Sequence, residues 1–310
     1  MDFGERFLVY PDLFPARPGG ATWGVESLDL DFVGGLYRVA GLAAAQRDAI
    51  ASRFAELVVA PGEQPPVAAA VTLHLYSAPE SDFHPVDFTG LEYTFDLDPL
   101  PAAVRVAGLR FMAWVDPTAA RIGIWTSAES LPEFLGIFEN CFRLAAAYRL
   151  PRVAGALLHS AGIGEGGRAW LAFGASGAGK TTIARKALAA GAEILSDDLN
   201  ALAERGGELV VERLPFAGDL GATAGARGPA LPVAGLLRLE RGEELAVERL
   251  RPAAALGALL AASPFVNVDP HRRPALEEAL AGWIERVPVA RLATAVDTPW
   301  SEIKKAIATL

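Results

Sequence analysis

The chain has 310 residues, 52% hydrophobic and 21% charged, with 31 Gly, 22 Pro and a formal charge of −9. At ~100–200 residues per domain this length predicts two domains, each with its own core, and the apolar content excludes a disordered or collagen-like chain. The acidic balance, with no basic cluster larger than Arg272-Arg273 or Lys304-Lys305, argues against a nucleic-acid partner.

The start of the chain, Met1-Asp2-Phe3-Gly4-Glu5, lacks the basic stretch and apolar core of a signal peptide. Leu28, Leu30 and Phe32 alternate with Asp29 and Asp31. Val71, Leu73 and Leu75 alternate with Thr72, His74 and Tyr76. Leu91, Tyr93, Phe95 and Leu97 alternate with Glu92, Thr94 and Asp96. This period of two predicts three strands, each with one buried and one wet face. Between the first two, Leu42, Ile50, Phe54 and Leu57 predict a helix over 42–57. Ser130-Leu131-Pro132-Glu133 matches a capping box and predicts a helix starting at Ser130. Its apolar stripe is Phe134, Phe138, Cys141, Phe142 and Ala145, and it ends near Leu150-Pro151. Residues 1–150 therefore read as an α+β domain. The carboxylate pairs Asp29/Asp31 and Asp96/Asp98 fall on solvated strand faces, as does His74, and His84 falls in a loop. Cys141 reads as core rather than nucleophile. As the only cysteine it forms no internal disulfide, which points to a reducing cytoplasm. No Cys/His spacing resembles a zinc site.

From about Arg152 the pattern changes. Leu157–Ile163 and Ala169–Phe173 are short apolar runs joined by Gly164-Glu165-Gly166-Gly167, a strand pair with a tight turn. A glycine-rich loop follows, then a helix through Ala190 and a strand Glu193-Ile194-Leu195 that ends in Ser196-Asp197-Asp198. Ala234–Leu239 predicts a strand and Ala253–Ala262, after Pro252, a helix. The latter is the longest apolar run, well short of the ~18–20 residues that cross a bilayer, so no membrane segment is expected. Leu276, Leu280, Trp283 and Val287 predict an amphipathic helix, Val289–Ala293 a strand, and a short helix closes the chain.

Gly174-Ala175-Ser176-Gly177-Ala178-Gly179-Lys180-Thr181 is a full match to G-x-x-x-x-G-K-[ST] in the required strand–loop–helix setting. The glycines let successive N–H groups turn toward phosphate oxygens, and the helix start adds its positive dipole end, with Thr182 in that first turn. Lys180 would reach the β and γ phosphates and the Thr181 hydroxyl would ligate magnesium. Only four residues are lysine, all other fixed cations being arginine, so lysine at the one demanded position is informative. Asp197 and Asp198, at the carboxyl end of the next strand, stand where α/β sheets collect ligands. One can hold magnesium while the other accepts a hydroxyl proton, or the pair can cap a turn. His159 lies in the strand before the hairpin; alone it would read as a core histidine.

Together, Leu158-His159-Ser160, Gly174–Thr181 and Leu195-Ser196-Asp197-Asp198 resemble the catalytic domain of the HPr kinase/phosphorylase family, over roughly 157–202. The resemblance implies an α/β fold over 151–310, a P-loop kinase domain akin to phosphoenolpyruvate carboxykinase, preceded by the α+β N-terminal domain. It implies ATP and Mg2+ as cofactors, bound by residues 174–182. Asp198 would be the general base, Asp197 a magnesium ligand beside Thr181, and His159 a residue near the phosphates. The L-E-x-R-G-x-G stretch that follows the aspartates in HPr kinases has no counterpart, and Arg227 is the one candidate for the family's later basic element.

The expected activity is transfer of the ATP γ-phosphate to a hydroxyl, first a Ser or Thr of a protein or peptide, with residues 1–150 helping to select it. A small-metabolite kinase, a slow ATPase or GTPase, and an ATP-binding sensor without transfer are the alternatives, with adenine favoured over guanine because no N-K-x-D motif stands in a suitable position. HPr kinases are oligomeric, which leaves a homo-oligomer open.

Overall fold

A computed structural model of the chain describes residues 20–60, 70–83, 95–108, 111–116, 118–216, 220 and 229–310. It divides into two units, Met1–Arg149 and Leu150–Leu310, and both mix helices with sheet.

The first unit is built on a seven-stranded sheet of order β1-β2-β3-β7-β6-β5-β4. The strands are β1 (Glu26–Phe32), β2 (Gly35–Leu42), β3 (Val71–Ser77), β4 (Phe95–Leu100), β5 (Ala103–Gly108), β6 (Phe111–Val115) and β7 (Arg121–Thr126). β2, β3 and β7 are parallel, and α1 (Ala44–Arg53) lies in the crossover that a parallel pair requires. The phenylalanine stripe of α2 (Phe134–Arg149) meets Phe32, Tyr37 and Phe54. Phe142 is fully buried, with ring centroids 4.6 Å from Phe32, 5.4 Å from Tyr37 and 5.5 Å from Phe54. Phe142→Ala should therefore cost about 3–5 kcal/mol, read as a lower urea midpoint at unchanged m-value. An unchanged midpoint would mean that the aromatic cluster does not hold the sheet.

Several expectations need correcting here. Ser130 does not start the second helix. Ser127 is the N-cap of a 3₁₀ turn over 128–133, its N–H donating to Ser130 Oγ at 3.1 Å, and the α-helix begins only at Phe134, after Pro132. Leu42 ends β2 rather than opening a helix. The face of β3 expected to be wet is not uniformly so. Tyr76 stacks on Trp125 at 4.8 Å beside a small core of Ala78, Phe83, Ala107 and Met112. Strands β5, β6 and β7 escaped prediction because most of their residues are buried on both faces, which erases the alternation. Residues 91–94 of the third expected strand, the side chain of Asp96, and His84 lie outside the described residues.

The second unit opens with the hairpin β8 (Ala156–Glu165) and β9 (Arg168–Phe173), turned at Gly166-Gly167. Then come α3 (Lys180–Ala189), β10 (Glu193–Ser196), β11 (Leu199–Arg205), β12 (Glu208–Glu212), β13 (Leu231–Arg241), β14 (Ala246–Arg249), α4 (Pro252–Ala262), α5 (Arg273–Arg286), β15 (Val289–Thr294) and α6 (Trp300–Ile307). β8 and β13 each serve two ladders. The first half of β8 pairs with β11 and the second with β9 and β10. β13 pairs with β12 at Leu231 and Pro232, then with β9 and β15. β9, β13 and β15 are parallel, and β10, antiparallel to β8 as β9 is, points the same way. Four carboxyl ends thus share one edge.

Ile183, Ala184 and Ala187 of α3 pack on Ala161, Ile163, Ala172, Leu237 and Leu239, joined by Trp300, Ile303 and Ile307 of α6. The small alanines let α3 lie close to the strands, which fixes the helix start at the sheet edge. No helix among the described residues is long and apolar enough to cross a membrane.

Candidate functional site

β9 ends at Phe173 and α3 begins at Lys180, so residues 174–179 turn the chain at the edge where the parallel strands end. Gly177 and Gly179 have φ of 74° and 104°. A Cβ at Gly179 would meet nothing within 4 Å, so the demand for glycine is conformational rather than a matter of packing. Ala175, Ser176, Gly177 and Thr182 are exposed, whereas Gly174, Ala178, Gly179 and Thr181 are half-buried. The first N–H groups of α3 have no acceptor within the helix and sit at its positive end.

Lys180 is 8% exposed and its Nζ donates to Gly174 O at 3.0 Å and Ala175 O at 3.3 Å. Burial lowers the ammonium's pKa from its ordinary value, and the charge of Asp198 acts in the opposite direction.

β10 and β11 run one after the other alongside β8, and Asp197-Asp198 join them. The ladder continues through the junction, since the Ser160 N–H donates to Asp198 O at 3.0 Å. A register slip between Ile194 and Ser196 precedes it. His159 Nε2 lies 3.6 Å from Asp198 Oδ1, and both side chains are more than a third exposed. The His159 pKa is lowered, by burial first and the Lys180 charge second, against the pull of Asp198. Lys180, His159 and Asp198 therefore share one electrostatic environment, and the lowered pKa favours the neutral imidazole at pH 7.

The two aspartates differ. Asp198 is half-exposed, its N–H donating to Ser196 Oγ at 3.2 Å. Asp197 is buried; Oδ1 accepts the Leu220 N–H at 3.2 Å, while Oδ2, buried too, has no hydrogen-bond partner among the described residues. A buried carboxylate oxygen without a donor is costly unless a cation or water meets it.

Two further residues went unmarked in the linear pattern. Asn200, 1% exposed, donates through Nδ2 to Ser160 O at 2.7 Å and Oγ at 3.0 Å, which braces β11 on β8 at the residue that follows His159. As a polar side chain in an apolar run it carried a weak signal. Arg241, at the end of β13, donates through Nη2 to Gly177 O at 3.1 Å, and nothing in its local sequence marks it.

No protein-family model and no curated protein matches the sequence. Among solved structures, the HPr(Ser) kinase/phosphatase from Coxiella burnetii is similar over 49% of this chain and 94% of that one, at 11% identity and a TM-score of 0.30. A likeness that faint carries no weight for activity, substrate or assembly.

The other sequence candidates have structural partners. Asp29 pairs with Arg38 at 2.7 Å and Asp98 with Arg105, each directly across a two-strand ladder, contacts worth ~0.2–1 kcal/mol. His74 is half-buried and stacks on Tyr76. Cys141 is buried, and burial pushes its thiol well above the ordinary range, so it is no nucleophile at neutral pH. Arg227 lies outside the described residues. No group of three or more His, Cys, Asp or Glu side chains among the described residues could hold a metal ion.

Proposed function

We propose that the protein is an ATP-dependent phosphotransferase that moves the γ-phosphate to a hydroxyl of a protein or peptide. The observation that carries this reading is the buried Lys180 at the foot of the glycine-rich loop, in electrostatic reach of an Asp198 that lies 3.6 Å from a neutral His159.

The loop amides of residues 174–179 and the first turn of α3, with Thr181 and Thr182, cradle the phosphates, and Lys180 holds the β and γ groups. Thr181 and Asp197 fit a magnesium ion, since Asp197 Oδ2 is a buried anionic oxygen without a donor. Magnesium takes one or two protein ligands plus phosphate oxygens rather than an all-protein cage. When bound, it would neutralise charge on the β and γ phosphates.

Asp198, half-exposed at the same edge, accepts the proton of the acceptor hydroxyl. The new O–P bond forms as the bond between the γ-phosphorus and the β–γ bridging oxygen breaks, and ADP leaves with that electron pair. His159, neutral, orients Asp198 without neutralising it. In this reading the first unit helps choose the acceptor.

The test incubates the purified protein with γ-labelled ATP, magnesium and host-cell extract, and follows label into protein, peptide and small-molecule fractions. Label in protein or peptide is the expected result. Label in a metabolite fraction would change the acceptor class. ATP binding with no label anywhere would replace the kinase by a nucleotide sensor.

A further inference from the structure

We propose that Arg241 contacts the terminal phosphate of the nucleotide and so distinguishes a triphosphate from a diphosphate; this rests on reading residues 174–181 as the phosphate site. Side chains along β13 alternate, and Leu237 and Leu239 belong to the core beneath α3, 0% and 4% exposed. Arg241 is next in that row. Phe173, the last residue of β9, pairs with Arg238. Arg241 therefore stands three residues past the end of β9, roughly 10 Å at ~3.3 Å per residue. The row that packs α3 onto the sheet thus continues beyond the sheet edge as a guanidinium beside the loop.

The contacts there support a phosphate role over a surface ion pair. Arg238 and Arg291 share Glu240, and Arg291 also holds Glu248, on the other face of the strand. Arg241 has no carboxylate partner among the described residues. Among the described residues its hydrogen bond goes to Gly177 O, and Nη2 lies 4.0 Å from where a Gly177 Cβ would stand. Two cations thus flank one loop, Lys180 on the carbonyls of Gly174 and Ala175 and Arg241 on that of Gly177. A neutral carbonyl is a weaker acceptor for a guanidinium than a phosphate, which takes two parallel N–H donors. An arginine in this position also offsets charge on the phosphoryl group during transfer.

The test measures calorimetric affinities for Mg·ATP and Mg·ADP, and the transfer rate, in wild type, Arg241→Ala, Arg241→Lys and Lys180→Ala, each with a melting curve. Arg241→Ala should weaken ATP binding about tenfold or more, as a charge-assisted contact predicts, while ADP affinity shifts less than about threefold. Arg241→Lys should recover only part of the loss, and melting temperatures should stay level because the side chain is exposed. Equal losses for ATP and ADP would overturn the proposal, since Arg241 would then only shape the loop through Gly177. Unchanged affinities in Arg241→Ala, with loss in Lys180→Ala, would overturn it alone. A wild type that binds neither nucleotide would overturn the phosphate-site reading, and this proposal with it.

Discussion

Lys180→Ala should weaken ATP binding by about two orders of magnitude or more and reduce transfer below detection, with the fold intact. The ammonium is the one lysine charge at the loop, and contacts between a charged donor and an anion are the strong class of hydrogen bond. Its effect on stability has a definite sign. Burial lowers the Lys180 pKa, so the fold disfavours the charged form. That penalty is present at pH 7 and is relieved only as pH climbs through the lowered pKa toward the ordinary 10.5. Alanine removes the penalty along with the packing of the lysine stem, two effects that oppose each other. The melting temperature of the variant should therefore stay within a few degrees of wild type. A thermal-shift series separates the two properties. At about 100 times its Kd, ATP stabilises wild type by ~2.7 kcal/mol, roughly 5–10 °C, and should leave Lys180→Ala unmoved. A variant that shifts as wild type does would remove Lys180 from the phosphate site.

What the linear sequence revealed about this fold tracks which interactions are local. The turn at Gly166-Gly167, the loop from Gly174 to Lys180, the Pro252 start of α4 and the stripe Leu276-Leu280-Trp283 of α5 are encoded within a few residues of themselves. β11 and β12 pair with each other across the turn at Gly206-Gly207, but the ladders that seat this hairpin, β11 on β8 and β12 on β13, join residues far apart in the chain. Leu199-Asn200-Ala201-Leu202-Ala203 is alanine-rich and buried throughout, so neither propensity nor period marks a strand. The same limit applies at the candidate site. The residue types at 159, 180, 197 and 198 were visible, but their mutual distances depend on β10 and β11 lying in line along β8, which no spacing encodes. Arg241 reaches Gly177 only because β13 outruns β9.

The asymmetry between the two aspartates leads to the second large effect. Asp197 is buried with one oxygen held by Leu220 N–H, whereas Asp198 is open to solvent and holds its place in the ladder through its own backbone. Only the open carboxylate has room for an incoming hydroxyl. Asp198→Asn keeps shape and backbone contacts but cannot take a proton. ATP affinity should stay within about threefold of wild type while transfer falls by ~10²–10⁴. A second readout follows from His159. The Asp198 charge raises this histidine's pKa, against burial and the Lys180 charge, so its loss should move the imidazole titration further down, seen by NMR. With a folded pKa below the ordinary 6.5, His159 contributes nothing to stability above that pH. Stability falls as pH drops below 6.5, where the unfolded chain takes the proton first, and in the variant this loss should extend to lower pH. Transfer that survives in Asp198→Asn with the His159 titration moved would leave Asp198 as a neighbour of the imidazole and pass the proton to another group, with Asp197→Asn the next variant to assay.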